Sequence, residues 1–480
     1  MHRPDFIAVA PLLILAFFAV AVMLAIALRR NHAVAVSLSL TGLAAALGVL
    51  PFSAPLTPRP VTPLLVVDGF ALFYLGLILS AAAAVVVFAW DYLRRLDDLP
   101  EEFYFLLLVA TLGAGILAVC RHFASLFLGL EILSVSLYGL IAYTRDRNVS
   151  IEAGFKYLVL AAVSAAFLLF GAALIYSETG ALDFGSLLPL FQAGPAGRQS
   201  LMLLSGLGLV ITAVGFKLAL TPFHMWTPDI YQGAPAPVTA FVAAVSKGAV
   251  AALLVRLFAP VDLHQWGSLF VVFAVMAGAS MIAGNLLALM QDNIKRILAY
   301  SSIAHMGYLL TAFLSGGREA VLVVTFYLTA YIISILGCFG VIAALSSREG
   351  DVETVGDIRG LFLRRPWLTG VFTAMLLSLA GIPLTAGFIG KFFVVTVGIQ
   401  AAHWVLVVIL ALTSGVGLFY YLKIIIAMFS PAPEEAVGVF LNRPAASSMV
   451  ALTFAVLSAL LLWLGVGPSW LMRMIGKMVG

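Results

Sequence analysis

The chain has 480 residues, of which 63% are apolar and only 10% are charged, and its mean hydropathy is +1.12. A water-soluble fold could not bury so much apolar surface, so soluble enzymes, nucleic-acid-binding proteins and secreted disulfide-rich scaffolds are excluded. The formal charge of +4 indicates no charged patch, because the basic residues are spread over short loops. Cys120 and Cys338 lie in separate apolar runs and are expected to be core residues. The composition predicts an all-α polytopic membrane protein.

Apolar runs long enough to cross a bilayer, about 20 residues each, recur along the whole chain. We predict 14 transmembrane helices, at 6–28, 33–52, 64–89, 103–121, 122–143, 154–176, 200–222, 235–258, 266–290, 296–315, 319–345, 367–398, 401–428 and 447–471. Within the single membrane domain 1–480 we distinguish four parts: three N-terminal helices (1–102), a first five-helix repeat (103–258), a second five-helix repeat (266–428) and a C-terminal helix (429–480).

The basic residues predict how the chain is oriented. Of the 26 lysines and arginines, 14 lie in or beside loops that follow odd-numbered spans, and 8 lie on the opposite side. Cytoplasmic loops are enriched in these residues, so both termini are predicted to lie outside the cytoplasm.

The remaining lysines, Lys217, Lys247, Lys391 and Lys423, lie within apolar runs. A charge at the bilayer centre costs at least about 3 kcal/mol, so each of these lysines is a functional hypothesis by default. The alternative is a lysine that snorkels to the interface from a helix end, and it applies most to Lys423, near the end of its span.

Helix breakers accompany two of these lysines. Pro222 follows Lys217, and Gly381, Pro383 and Gly387 precede Lys391. Long spans interrupted at matching places in two halves are typical of discontinuous helices around an ion site. We therefore predict that helices 7 and 12 are discontinuous.

Glu131 is the acidic residue that lies inside a clearly delimited transmembrane span, in SLFLGLEILSVSLYGL. A lone buried carboxylate would hold its proton unless a cation lay beside it, and Lys217 is the predicted cation. Such a pair has two states, in contact or separated, although a purely structural ion pair stays open as an alternative.

Three pairs of residues have nearly the same separation: Glu131 and His305 by 174 residues, Lys217 and Lys391 by 174, and Lys247 and Lys423 by 176. A repeat of five helices, helices 4–8 and then 9–13, reverses orientation, because five is odd. The arithmetic therefore predicts two inverted five-helix repeats, an architecture typical of ion-translocating proteins.

Two histidines are further candidates. His305 takes the place of Glu131 in the second repeat, and hydroxyl groups beside it favour a proton relay as much as a hydrogen-bonded core histidine. Those neighbours are Tyr300, Ser301, Ser302 and Tyr308. His224, at the break of helix 7, either relays protons or satisfies the broken backbone.

The sequence has no GxGxxG after a strand, no P-loop, no cysteine cluster and no histidine pair spaced for haem. We therefore expect no cofactor and no metal site in this chain.

Three segments resemble a known family. PFHMWTPDIYQGAPAPVTAFVAAVSKGAV at 222–250, preceded by GFK, resembles helices 7 and 8 of the subunit N family of bacterial NADH–quinone oxidoreductase, respiratory complex I. QDNIKRILAYSSIAHMGYLL at 291–310 and EAGFKYLVLAAVSAAFLLFG at 152–171 match the same family. Subunits L and M and the multi-subunit sodium–proton antiporters share the fold but diverge in the first segment.

The resemblance implies an antiporter-like, proton-translocating subunit of this translocase in the bacterial inner membrane. Its partners would be other membrane-arm subunits, membrane lipids and protons, with no nucleic acid. FMN, iron–sulfur clusters, NADH and the quinone site would belong to other subunits. Glu131, Lys217, Lys247 and Lys391 match the family's functional residues. The implied proton path is Glu131, Lys217, Lys247, His305 and Lys391, with His224 and Lys423 as secondary relays.

Two alternatives stay open, a subunit of a multi-subunit sodium–proton antiporter and a non-conducting scaffold of the same complex. Sodium sites usually need clustered hard oxygen ligands. Since Glu131 is the clear intramembrane carboxylate, we expect protons rather than sodium to move.

Overall fold

A computed structural model describes residues 3–95, 100–187, 200–258, 263, 266–347, 350–431 and 447–479. Its helices are α1 (Arg3–Ala8), α2 (Ala10–Leu28), α3 (His32–Ser53), α4 (Gly69–Leu93), α5 (Glu101–Val119), α6 (Phe123–Ile141), α7 (Asn148–Thr179), α8 (Leu201–Leu218), α9 (Trp226–Gly233), α10 (Ala236–Phe258), α11 (Gly267–Leu289), α12 (Ile294–Leu314), α13 (Gly317–Leu345), α14 (Leu361–Arg364), α15 (Pro366–Ala380), α16 (Ala386–Gln400), α17 (Trp404–Phe429), α18 (Ser448–Val466) and α19 (Ser469–Val479). A π-helical turn at Val242–Ser246 interrupts α10.

The helices confirm the predicted all-α polytopic fold. Within the described ranges, 13 helices are long and apolar enough to cross a membrane. The predicted span 367–398 is instead two shorter apolar helices, α15 and α16. Each of the 14 predicted spans thus corresponds to a long helix or to a pair of half-helices.

Three predicted boundaries are wrong by five or six residues. The sixth span, predicted from residue 154, begins at Asn148. The third span, predicted from residue 64, begins at Gly69, because Asp68 accepts a hydrogen bond from the Ala71 amide and caps the helix. The residues before it form an antiparallel hairpin of β1 (Arg59–Thr62) and β2 (Leu65–Val67). The last span, predicted to reach residue 471, ends at Val466, and a separate helix, α19, follows it.

Both predicted discontinuities are present. The first half of helix 7, α8, ends where Ala219 adopts a left-handed conformation with φ of 61°, and α9 resumes at Trp226. The indole of Trp226 donates at 2.9 Å to the Phe216 carbonyl, near the end of α8, which also accepts from the Ala219 amide. In helix 12, α15 ends before Gly381, which has φ of 84°.

The interior is formed chiefly by α10, α12 and α13, whose most apolar windows are 94–100% buried within the chain. The corresponding window of α2 is only 28% buried, so that helix lies at the periphery. The two discontinuous helices pack against this interior. The inverted relation of the two repeats and the four-part division stay predictions.

Candidate functional site

Lys217 lies in the last turn of α8 and is buried, with 5% of its surface exposed. Its ammonium donates hydrogen bonds to Ser134 Oγ at 2.6 Å and to Tyr157 OH at 3.3 Å. The same nitrogen lies 5.1 Å from the centre of the Tyr157 ring, within range of a cation–π contact. A hydroxyl group and an aromatic ring thus surround the first candidate lysine.

The predicted ion pair between Glu131 and Lys217 is wrong for this structure, because the two side chains are not in direct contact. No contact of 4.0 Å or less joins the two charged groups, both of which belong to the described part of the chain. Glu131 is only half-buried. Ser134, one helical turn further along α6, accepts the hydrogen bond from Lys217 instead. Residues three apart share a helix face, so the carboxylate and the hydroxyl are alternative partners for one ammonium.

Lys247 follows the π-helical turn of α10 and is fully buried. Its ammonium donates to Ser302 Oγ at 2.5 Å and lies 5.6 Å from the Tyr231 ring. Ser302 Oγ also lies 2.6 Å from Tyr331 OH and 3.4 Å from Tyr231 OH. This lysine is therefore linked to a cluster of three hydroxyl groups contributed by different helices.

His305 lies one turn beyond Ser302 on α12 and is buried. Its Nδ1 is 2.7 Å from Tyr327 OH, and its Nε2 is 3.3 Å from Tyr421 OH, which also hydrogen-bonds Ser301. The imidazole therefore has a hydroxyl partner at each nitrogen. This geometry suits both a proton relay and a satisfied core histidine, so the role of His305 stays a prediction.

Lys391 lies in α16, just after the break, and is 9% exposed. Its ammonium donates to the Ala380 carbonyl at 2.9 Å and to Ser414 Oγ at 2.8 Å, and it lies 5.2 Å from the Tyr308 ring. The Tyr308 ring centre is in turn 5.5 Å from that of His305. Lys391 therefore borders the same polar core as His305.

The two secondary candidates lie apart from these hydroxyl clusters. Lys423 is 42% exposed and donates to Asp292 at 2.6 Å, as expected of a surface ion pair. His224 is buried, and neither ring nitrogen makes a hydrogen bond of normal geometry, only a weaker contact with the Pro222 carbonyl. The role of His224, as a relay or as a partner of the broken backbone, stays a prediction.

Sequence reasoning missed most of the hydroxyl partners. These are Ser134, Tyr157, Tyr231, Tyr327, Tyr331, Ser414 and Tyr421. The pair Tyr327 and Tyr331, four residues apart and hence on one face of α13, was the one available signal. Single serines and tyrosines in apolar helices are too common to single out others.

A charged network lies at one end of this core. Lys295, the second residue of α12, pairs with Asp351 at 2.6 Å and donates to the Ala234 carbonyl at 2.7 Å; both charged side chains are almost fully buried. Burial raises the pKa of the Asp351 carboxyl, but the charge of Lys295 and hydrogen bonds, including one from Tyr92, outweigh it and hold that pKa below its usual value. This pair ties the loop after α13 to the starts of α10 and α12.

Comparison with known proteins identifies this arrangement. The family model described as NADH:quinone oxidoreductase/Mrp antiporter, transmembrane, matches residues 120–417. That range includes Glu131, Lys217, Lys247, His305 and Lys391.

Three solved structures share the fold. A chain of respiratory complex I from Thermus thermophilus with bound aureothin is 34% identical, over 96% of this chain and 98% of that one, with a TM-score of 0.82. A chain of the Mrp complex from Dietzia sp. DQ12-45-1b is 21% identical over 100% and 97%, with a TM-score of 0.86. A chain of the membrane-bound sulfane sulfur reductase, an archaeal respiratory membrane complex, is 23% identical over 99% and 97%, with a TM-score of 0.85. The last two indicate the fold alone.

Proposed function

The chain belongs to the NADH:quinone oxidoreductase/Mrp antiporter transmembrane family, and we propose that it is the proton-translocating subunit N of a bacterial NADH–quinone oxidoreductase. The 34% identity to a complex I chain, against 21% and 23% for the Mrp and sulfane sulfur reductase chains, supports this choice. Its partners would be the other membrane-arm subunits of an inner-membrane complex. NADH oxidation, FMN, iron–sulfur clusters and quinone reduction would belong to those other subunits.

The observation that supports proton translocation is the connection from Lys247 towards His305. The Lys247 ammonium donates to Ser302, which contacts Tyr331, whose ring centre lies 5.4 Å from that of His305. A hydroxyl oxygen can accept one proton while its own hydrogen leaves on the other side. Hydroxyl groups joined in this way can pass a proton from Lys247 as far as Tyr331 without leaving a net charge on serine or tyrosine. The step from Tyr331 to His305 would need a movement of one of the two rings.

In the proposed mechanism, Lys247 receives protons from the cytoplasmic side and Lys391 exchanges them with the outer side. Lys217, held by Ser134, represents the separated state of the Glu131–Lys217 pair. A rotamer change that brings its ammonium to Glu131 would give the second state, because both partners lie on one face of α6. Redox energy from other subunits would act by shifting the balance between these two states.

Arginine substitutions test this function. Arginine keeps the positive charge but does not release a proton, so Lys217→Arg and Lys391→Arg should assemble and lose proton pumping roughly tenfold or more. The measurement is NADH-driven proton uptake with quinone as acceptor, normalised to the amount of assembled complex. Alanine variants of the same lysines should also fail to pump.

Lys423→Ala is the matched control, because this lysine is at the surface and should affect pumping little. Full pumping by both arginine variants, with loss only in the alanine variants, would show that the lysines hold helices together and would refute the relay. A complex that pumps only when sodium is present, at fixed pH, would favour the sodium–proton antiporter class instead.

A further inference from the structure

An apolar groove opens between the N-terminal helices, α13 and the C-terminal helices. It has a volume of about 830 Å³ and is lined by α3, α4, α13, α18 and α19. The lining runs from Leu72 to Val87 along α4 and from Leu452 to Leu464 along α18. At 1.5 Å per residue these stretches are about 18–22 Å long. One leaflet of a bilayer contributes about 15 Å of hydrocarbon, so the groove has the length of an acyl chain.

The polar groups in the walls of the groove do not need hydrogen bonds from a ligand. Three hydroxyl-bearing residues line it, Ser80, Thr329 and Thr453. Both threonines donate to carbonyls of their own helices, at 2.8 Å and 2.9 Å. An apolar occupant therefore fits these walls, and a polar cofactor does not.

The helix α19 covers one end of the groove. The Met478 carbonyl meets the start of α4 at Gly69, where an added Cβ would lie 2.3 Å away, and Arg318 at the start of α13 donates to the Gly476 carbonyl at 2.6 Å. Trp470 and Met474 belong to the face of α19 that lines the groove. This helix therefore lies across the ends of α4 and α13.

One side of α19 next to the groove is basic. Arg473 and Lys477 are exposed, and they lie three residues after Trp470 and Met474, which line the groove. The indole rings of Trp463 and Trp470 lie with centres 4.9 Å apart and planes tilted by 34° at the junction of α18 and α19. A helix with an apolar side, a cationic side and flanking tryptophans is typical of the membrane–water interface.

We propose that this groove binds an anionic phospholipid, with its acyl chains between α4 and α18 and its phosphate beside Arg473 and Lys477. The cationic side of α19 and the apolar walls of the groove complement the two ends of such a lipid. A transmembrane helix of a partner subunit is the competing occupant.

Photo-crosslinking in membranes tests the proposal on the full chain in its native complex. The probes are phosphatidylglycerol and phosphatidylcholine with identical diazirine-bearing acyl chains. We expect phosphatidylglycerol to label peptides of α18 and α19 roughly fivefold more than phosphatidylcholine. Arg473→Gln with Lys477→Gln should make the two probes equal, and these exposed substitutions should not disturb folding.

A variant that fills the groove with a side chain provides the second part of the crosslinking experiment. Gly76 lines the groove, and a Cβ there would meet only Leu50, at an ordinary 3.5 Å, so Gly76→Phe can be accommodated. Labelling should fall roughly fivefold or more in this variant. Gly48→Phe is the control, because Gly48 is exposed on α3 outside the groove, with nothing within 4 Å of an added Cβ.

Three results would overturn the proposal: equal labelling in the two phenylalanine variants, equal labelling of the wild type by both probes, or no labelling because a partner subunit fills the groove.

Discussion

Three buried lysines, Lys217, Lys247 and Lys391, are held by hydroxyl groups, carbonyls and aromatic rings rather than by carboxylates. Lys247 has Ser302 and the Tyr231 ring, and Lys391 has Ser414 and a backbone carbonyl. Neutral partners hold an ammonium less firmly than an adjacent carboxylate does. A proton can therefore leave these lysines without breaking a buried ion pair.

Ser302→Ala tests the importance of one such partner. The substitution removes the hydroxyl group that joins Lys247 to Tyr331 and leaves a buried donor unsatisfied, at a cost of about 1–3 kcal/mol. We expect proton pumping per assembled complex to fall severalfold. Proton uptake and NADH oxidation measured on the same membranes will separate pumping from electron transfer.

Ser39→Ala is the matched control for that substitution. Ser39 is equally buried, and its hydroxyl donates to the Ala35 carbonyl of its own helix, far from the lysines. It should pump like the wild type. If Ser302→Ala also pumps normally, the hydroxyl link from Lys247 has no role in proton transfer.

Sequence reasoning identified the charged members of the site because a charged residue within an apolar run can be recognised from the sequence alone. It assigned the wrong contact to Lys217, since the choice between Glu131 and Ser134 depends on the reach and rotamer of a side chain. The tyrosine partners were missed for a different reason. Tyr327 and Tyr421 come from different helices, and only the folded chain brings both of them to His305.

At the scale of elements, the break of helix 12 depends on close packing of its two halves. The Gly387 amide donates to Ser378 Oγ at 3.1 Å, which joins α16 to α15. A Cβ at Gly387 would lie 1.9 Å from the Ser378 carbonyl oxygen, so the two halves would have to separate. No rotamer change relieves a clash with backbone.

We therefore expect Gly387→Ala to destabilise the chain by about 1–3 kcal/mol or more, as overpacking usually does. The measurement is the thermal denaturation midpoint and the yield of assembled complex. Gly370→Ala is the control. Gly370 lies in the other half-helix, α15, and an added Cβ there would meet nothing within 4 Å. Equal midpoints for both variants would argue against a tightly packed break.

The ion pair between Lys295 and Asp351 has a defined pH dependence. Because the pKa of Asp351 lies below its usual value in the folded chain, its stabilising effect is complete at neutral pH. The effect is lost as the pH falls below about 3.9 and through the lower folded pKa. Asp351→Asn leaves a buried ammonium without its counter-ion and should cost about 3–5 kcal/mol at neutral pH.

Denaturation midpoints of wild type and Asp351→Asn, recorded from pH 8 downwards, will check this window. Their difference should stay constant to about pH 5 and narrow only in more acid solution. A difference that already disappears between pH 7 and pH 6 would mean that another group titrates.

Element boundaries show where sequence patterns stop being informative. Hydropathy located the helices, yet it extended the third span over the strand Leu65–Val67, since apolar residues before a cap look the same as those after it. The breaks of helices 7 and 12 were predictable, because proline and glycine limit backbone geometry directly. The separation of α19 from α18 was not predicted, although Gly467 and Pro468 stand at that junction.

At the scale of the whole molecule, orientation is the main testable prediction. The excess of basic residues predicts that reporter fusions at Arg145 and Arg364 are cytoplasmic and that one at Arg198, which lies outside the described residues, is external. Paired phosphatase and fluorescent-protein fusions at each position measure this directly. The opposite pattern would reverse the assignment of Lys247 to the cytoplasmic side and Lys391 to the outer side.

The architecture was predictable to a large extent because the bilayer restricts the choices. An apolar chain must span as helices, so counting runs of about 20 residues gives the fold class. What hydropathy does not encode is which helices form the interior. The depth of α10, α12 and α13 follows from packing among all the spans.

Each lysine at a helix break places its charge at the carboxyl end of a half-helix, Lys217 by its own position and Lys391 through its ammonium. Lys217 is in the last turn of α8, and the Lys391 ammonium contacts the carbonyl of Ala380, the last residue of α15. Aligned peptide dipoles leave about half a negative charge at such an end, and it attracts an ammonium. In the proposed mechanism, coupling of this kind would be reciprocal: moving the half-helix would change how firmly the proton is held, and losing the proton would loosen the half-helix. Proton occupancy and backbone position would then behave as one variable, so a distant driving force that displaces either half-helix would also move charge, even if it brought none of its own.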